Sequence, residues 1–472
     1  MKLLIILFLS SMITFSQNIP DNLRNLINKG EFITAEKIID SLLTSGSISE
    51  KQKLNLIFEK ERMERIKKDF RLSGKDILDY IKKFIPGASK DDISKWEKEG
   101  FLEFRIIDGK KFYFNRAHTN FFLLNKKAAA IKKQHEAKNK RENFREFLKR
   151  YVKGIEGKIK SVGETLTDPV EMKLDYTLSV NAGAVPPGDI IRCWLPFPRE
   201  GKERQTGINL ISANSDEYIV ASNRHQQRTI YLEKPAEQNK PTIFNIKFKV
   251  KTFAQKFVIN PETIKPYDKT TEIYKKYTAE RFPHILFTDK IKNLSQKIIG
   301  NETNPYLKAK KIFTWISENI PWAGAREYST IRNISDYCIT NKHGDCGIKS
   351  MLFITLCRYN GIPAKWQSGW MLHPGFVNLH DWSEIYFEGI GWIPVDQSFG
   401  LIDSENEFIK YFYFGGTDAY HLIINDDFST PLFPAKIFPR SETVDFQRGE
   451  VEWKGGNLYF DKWDYNMKVE YN

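Results

Sequence analysis

Cysteine is scarce in this chain, with four in 472 residues. So sparse a set excludes the dense disulfide framework that staples small secreted scaffolds. Cys346 and Cys357 would lie about three turns apart on one helix, too far to bridge. A pairing of Cys338 with Cys193 or with Cys357 stays open. Long apolar runs are lacking beyond the first residues, so no later segment reads as a membrane-spanning helix. No cysteine stands near Ser16, which leaves a lipid anchor no attachment point there. No repeat recurs at a fixed period, which excludes a solenoid.

What is present bounds the class. Hydrophobic residues make up 41% and aromatics 14%, enough for real cores and too much for wholesale disorder. The length implies about three domains. Lys2 precedes the apolar run from Leu3 to Leu9, and a small-residue site, Thr14-Phe15-Ser16, precedes Gln17. That is the pattern of a secretory signal peptide over residues 1–16. The expectation is an exported protein, periplasmic or secreted, with no transmembrane span.

Residues 17–165 read as a helical N-terminal region. Leu23, Leu26 and Ile27, then Gly30, then Ile33, Ala35, Ile38 and Ile39 suit two short amphipathic helices. Within residues 73–118, two helical stretches precede Phe101–Phe104 and Lys111–Phe114, which flank Asp108-Gly109 as a hairpin. Two helices and a hairpin resemble a winged helix, a module that usually binds DNA. Export argues against a nucleic-acid partner and leaves a packing or interaction role. Residues 119–165 read as a long basic helix that carries much of the formal net charge of +13. It reads as a solvated linker, with contact to an anionic surface as the alternative.

From residue 166 to 260 the texture is that of strands. Met172, Leu174, Tyr176, Leu178 and Val180 alternate with polar residues, as do Phe244, Ile246, Phe248 and Val250; a β-sandwich follows. Over residues 261–400, helices come first and strands afterwards, which argues for an α+β domain. Residues 401–472 are aromatic-rich and strand-like, an extension elaborating that core. The whole reads as a multidomain α+β protein.

One loop carries chemistry. Gly344-Asp345 runs into Cys346 at the first turn of a helix whose Ile348, Leu352 and Leu356 face a core. Unpaired backbone N–H groups and the positive end of the helix dipole favour a thiolate there. The plainer reading is a small residue capping a buried helix. A nucleophilic thiol needs a base and a group to orient it. His380 opens an alternating stretch, and the turn Glu388–Gly391 sends Trp392–Asp396 back alongside, so Asp396 returns to the end where His380 stands. Asp381 alternates to the opposite face of the strand from His380. His343 reads as a turn residue, His373 as a solvated loop histidine, and Trp382 and Trp392 as core aromatics.

Gly344-Asp345-Cys346-Gly347, Gly361-Ile362-Pro363-Ala364, His380-x-Trp382-x-Glu384 and Gly391-Trp392-x-x-x-Asp396 together resemble the transglutaminase-like superfamily. The resemblance covers residues 282–399. It implies a papain-like core of helices packed on an antiparallel sheet, preceded by a β-domain. It also implies a catalytic triad of Cys346 as nucleophile, His380 as general base and acid, and Asp396 as orienter. The oxyanion would be held by the Cys346 N–H and a side-chain donor, with Trp322 and Tyr328 as candidates. No acidic cluster marks the calcium sites of the animal enzymes, and no cofactor or metal is expected. The expected function is thiol-dependent acyl transfer on amide bonds of a peptide or protein. With water as acceptor this is a cysteine-protease-like hydrolase, amidase or peptidase; with an amine it is a transglutaminase. The alternative is a catalytically inactive module that binds peptides or surface polymers.

Overall fold

The computed structural model describes residues 19–45, 48–135, 140–162 and 165–472; the expected signal peptide lies outside the described residues. The N-terminal unit opens with α1 (Asp21–Lys29), α2 (Phe32–Thr44) and α3 (Glu50–Asp69), followed by β1 (Phe70–Leu72), α4 (Gly74–Lys82) and α5 (Lys90–Lys98). Ser49, Ser73 and Ser89 start α3, α4 and α5 as capping boxes, each hydroxyl exchanging hydrogen bonds with the third residue on. Strands β2 (Phe104–Ile107) and β3 (Lys110–Phe114) turn about Asp108-Gly109 and add β1 to make a sheet of order β1-β3-β2.

The basic stretch is not one helix. It forms α6 (Ala117–Leu124), α7 (Lys126–His135) and α8 (Lys140–Val162). Asn125 interrupts it, because its side-chain oxygen accepts the N–H groups of Lys127 and Ala128 and so restarts the chain as a new helix. Nor is α8 a solvated linker. Val152, Ile155 and Ile159 enter the central core, and Phe144 stacks on Phe376 and edges onto His373. The apolar residues recur at three- and four-residue spacing, so one face had to be buried.

Two sheets follow, from β4 (Leu166–Val180), β5 (Ile190–Pro196), β6 (Gln205–Ala213), β7 (Tyr218–Val220), β8 (Thr229–Pro235) and β9 (Thr242–Lys256). Alternation decides the packing: Met172, Leu174, Tyr176, Leu178 and Val180 of β4 and Phe244, Ile246, Phe248 and Val250 of β9 all share one buried cluster.

The central unit runs through α9 (Glu272–Thr278), α10 (Asp289–Ile299), α11 (Pro305–Asn319), α12 (Ile334–Asn341) and α13 (Cys346–Tyr359). It continues with β10 (Ala364–His373), β11 (Phe376–Phe387), β12 (Gly391–Val395) and α14 (Glu407–Lys410). From Gly347 to Arg358 every residue of α13 is buried. Its surround is a core drawn from α10, α11 and α12 on one side and from Trp366, Ile385, Ile393 and Val395 of the sheet on the other.

The chain closes with β13 (Gly416–Thr417), β14 (His421–Asn425), β15 (Glu450–Trp453), β16 (Gly456–Leu458) and β17 (Trp463–Tyr471). Residues 401–472, expected to elaborate the central unit, divide between it and the sandwich: Ile409, Phe412, Phe428 and Val444 enter the central core, whereas β13 pairs with β9. Strand β14 joins the central sheet, whose order is β12-β11-β10-β14, whereas β15, β16 and β17 leave for the sandwich. Its sheets have the orders β13-β9-β4-β17, with β6 also on β9, and β16-β15-β5-β8-β7. Alternating residues such as Val451 and Met467 complete the apolar face begun by β4 and β5. The four cysteines are free thiols. No helix among the described residues is long and apolar enough to cross a membrane.

Candidate active site

Asp345 caps α13: its carboxylate accepts the Ile348 N–H at 3.1 Å. Cys346 is the first residue of that helix and is half-buried. The next residue has to be glycine. A Cβ at Gly347 would stand 2.1 Å from the Tyr328 hydroxyl oxygen, so the tyrosine packs directly on the helix start. That hydroxyl donates to Asp345 Oδ1 at 2.8 Å and lies 3.3 Å from Asp381 Oδ2.

The thiol meets the same carboxyl. Cys346 Sγ donates to Asp381 Oδ2 at 3.3 Å, and Gln447 Nε2 holds the other oxygen, Oδ1, at 2.7 Å. Alternation does put Asp381 on the face opposite His380, and that face is the one α13 covers. The expected thiolate is therefore not the resting form. Burial pushes the Cys346 thiol well above its ordinary value, and the charges of Asp381 and Asp345 push it the same way. These outweigh the helix dipole, whose Ile348 N–H is already taken by Asp345. Burial likewise raises Asp345 to about 6 and lifts Asp381 far above the carboxylate range, with Asp445 and Asp345 adding to it.

His380 and Asp396 form the second half. The hairpin register pairs Ser383 with Val395, so Asp396, one residue past β12, reaches back toward the start of β11. His380 Nε2 stands 2.6 Å from Asp396 Oδ2. With Nε2 donating to the carboxylate, Nδ1 is the basic nitrogen of the ring. Asp396 Oδ1 also accepts the N–H groups of Ser398 and Phe399, both at 2.9 Å. Burial alone would raise this carboxyl; the imidazoles of His380 and His421 reverse that and hold it well below the usual range. Cys346 makes its side-chain hydrogen bond to Asp381 and not to His380.

Three residues behind Asp396 escaped the sequence reading. His421 Nε2 lies 3.0 Å from Asp396 Oδ2 and its Nδ1 lies 2.9 Å from Asp418 Oδ1. Asp418 Oδ2 in turn takes His373 Nε2 at 3.0 Å and the Tyr413 hydroxyl at 2.7 Å. His373, expected in solvent, is fully buried because β14 and α8 close over the end of β10. The only signal was the Asp418-x-x-His421 spacing, which says nothing until β14 is known to lie beside β10. Burial disfavours the imidazolium of His421, yet the two aspartates raise it to about 9.

His373, Asp418 and His421, and likewise His380, Asp396 and His421, bring ligand-type atoms within 4.8 Å of one another. A metal needs a ring nitrogen with a free lone pair. Each nitrogen of His421 lies against a carboxylate, so as a doubly protonated ring it is satisfied by two hydrogen bonds and offers no lone pair, whereas His373 Nδ1 is buried without a partner. Of the oxyanion candidates, Tyr328 sits in the thiol's own cluster. Trp322 is half-buried and pairs through its backbone with Gly344 in a parallel bridge.

Residues 292–397 match the family model of the transglutaminase-like superfamily. An uncharacterized protein of Haemophilus influenzae is 23% identical over 287 residues, 51% of this chain and 75% of that protein. Among solved structures, a candidate cysteine protease from Cytophaga hutchinsonii aligns at 18% identity with a TM-score of 0.44, covering 65% of this chain and 91% of that one. The periplasmic domain of TgpA from Pseudomonas aeruginosa aligns at 13% identity with a TM-score of 0.26, covering 48% of this chain and 88% of that one. The matched family residues include Cys346, His380 and Asp396 and stop short of the strands that complete the sandwich.

Proposed function

We propose, from a transglutaminase-like core over residues 292–397, that this protein transfers acyl groups from amide bonds of peptides or proteins through a thioester on Cys346. The observation that carries this reading is the His380–Asp396 pair at 2.6 Å, held on the strand whose next residue touches the thiol. Water as acceptor makes the enzyme a hydrolase; a primary amine makes it a transglutaminase.

This mechanism requires the thiol to leave Asp381 and come round to the face of β11 that carries His380, where it gives its proton to Nδ1; Asp396, held by the N–H groups of Ser398 and Phe399, then balances the imidazolium. The thiolate adds to the amide carbon. The Cys346 N–H serves as one donor to the oxyanion, and the second is either the Tyr328 hydroxyl, which must turn its one proton away from Asp345 to do so, or Trp322. His380 then protonates the departing amine, the C–N bond breaks, and a thioester remains. The acceptor, deprotonated by His380, attacks the thioester and regenerates the thiol. Export follows from residues 1–16 as a part of the same proposal.

The test offers the protein a glutamine peptide with and without a primary amine. Ammonia release alone marks a hydrolase, and incorporation of the amine marks a transglutaminase. Cys346→Ala should lower either rate by about a thousandfold or more. If neither reaction occurs and Cys346 alkylates with iodoacetamide no faster than the buried cysteines, the catalytic reading fails.

A further inference from the structure

A cleft of about 1060 Å³ opens beside the thiol cluster, bounded by α1, α3, the residues before α10 and α12, and the segment 429–443. Its charge is lopsided: seven Arg and Lys side chains line it against one carboxylate, Glu59. Five of the seven already have carboxylate partners, such as Arg62 on Glu59 and Arg281 on Asp427. Arg224 and Arg332 meet no acid within ion-pair distance among the described residues, and Arg332 Nη2 is buried without a hydrogen-bond partner. Three more lining groups are orphaned in the same way, His284 Nδ1, Ser329 Oγ and Thr430 Oγ1.

Native interiors rarely leave buried polar atoms unpaired, and here four of them share one cleft. Between them stand apolar walls, Phe58, Phe282, Leu286 and Phe438. At one edge the cleft reaches Tyr328, whose hydroxyl lies in the Asp345–Asp381 cluster that holds Cys346.

We infer that this cleft binds an acidic peptide segment of the substrate, with carboxylates on Arg224 and Arg332, backbone amides on the orphaned groups, and apolar side chains on the aromatic walls. The inference rests on the acyl-transfer reading, since the segment would lead its reactive amide past Tyr328 to Cys346. A peptide fits better than a polynucleotide. A polynucleotide needs a run of free cations tracking its backbone and flat faces for its bases, whereas only two cations here are unengaged and the remaining demand is for single hydrogen bonds. Arginine suits carboxylates because its planar fork can meet both oxygens.

The experiment measures fluorescence anisotropy on the full chain carrying Cys346→Ala, so that no turnover consumes the probe. The probes are a labelled ten-residue peptide rich in Glu with Phe, Leu and one Gln, the same peptide with Lys for Glu, and a single-stranded oligonucleotide of equal charge. The acidic peptide should bind at least about tenfold tighter than the Lys version and weaken as salt rises. Arg332→Gln and Arg224→Gln should each weaken it by about tenfold, the loss of one charge-assisted pair. Thermal unfolding should be unchanged, since neither side chain gives up a partner; Arg224 is exposed, so its variant reads binding even if the other misfolds. Equal binding of the two peptides, tighter binding of the oligonucleotide, or wild-type affinity in both variants would overturn the inference. Binding without turnover in the unsubstituted protein would sink the acyl-transfer reading alone, and turnover of glutamine peptides without acidic preference would sink the cleft alone.

Discussion

His421 sets the electrostatic state of the group that orients the base. It lies between two buried carboxylates and keeps its proton to about pH 9, against 6.5 for a free imidazole. The folded protein therefore binds a proton that the unfolded chain releases above pH 6.5. The stabilisation is fully present below 6.5 and is lost as pH rises through 9; it amounts to about 3 kcal/mol at most. The acids that hold His421 titrate far lower and do not obscure that window. Denaturant unfolding at pH 6, 7.5 and 9 should show the stability gap between the wild-type protein and His421→Gln narrow as pH rises, because the buried Lys256 and Lys349, brought down to about 7 and about 8, titrate in both proteins and cancel in the difference. A gap that stays constant would assign the decline to another group. At this scale the sequence was legible in part. His380 and Asp396 stand on one hairpin whose turn, Glu388–Gly391, fixes their register. Asp381 was correctly turned away from His380, but a period of two cannot say which face a helix will cover, so its contact with Cys346 was not foreseeable. His421 depended on sheet order, which no local pattern encodes.

Among the elements, β14 decides whether that network exists, because it carries His421 onto β10. The two strands approach unusually closely at Gly369, where a Cβ would stand 2.0 Å from the Leu422 carbonyl oxygen and 2.9 Å from the Ile424 nitrogen. Gly369→Ala should push β14 off, at a cost of about 1–3 kcal/mol for an overpacked site. Amide hydrogen exchange at residues 422–424 should speed up in step with the loss of activity. Unchanged protection there would mean that the pairing tolerates the methyl group. The helices and strands themselves were readable: serine caps mark α3, α4 and α5, and alternation marks β4 and β9. The long basic helix was misjudged at Asn125, whose capping oxygen competes with continuation, and at Phe144, Val152 and Ile155, whose apolar stripe was masked by the surrounding lysines.

For the molecule as a whole, the N-terminal unit grips the segment that carries Tyr328. Asn120 donates to the Gly324 carbonyl at 2.8 Å and accepts its N–H at 2.9 Å. Asp69 accepts from the Glu327 N–H and the Thr330 hydroxyl at 3.2 and 3.1 Å, and Glu103 takes the Tyr337 hydroxyl at 2.8 Å. Asn120→Ala strands two buried backbone groups and should cost about 2 kcal/mol or more. Limited proteolysis between residues 322 and 330 should accelerate, and the reaction at Cys346 should slow with it. If cleavage there is no faster, the unit does not brace the site.

The outer strand β17 pairs residue by residue with β4, Trp463 opposite Val180 and Tyr471 opposite Met172. A ribosome delivers β4 long before its partner, and everything that builds the thiol's helix and the histidine hairpin is made in between. Until β17 arrives, the flank of β4 is a bare row of amides open to any other chain. Closing so long a loop is slow. A chain cut before residue 463 should therefore gather into aggregates, whatever the integrity of its catalytic half.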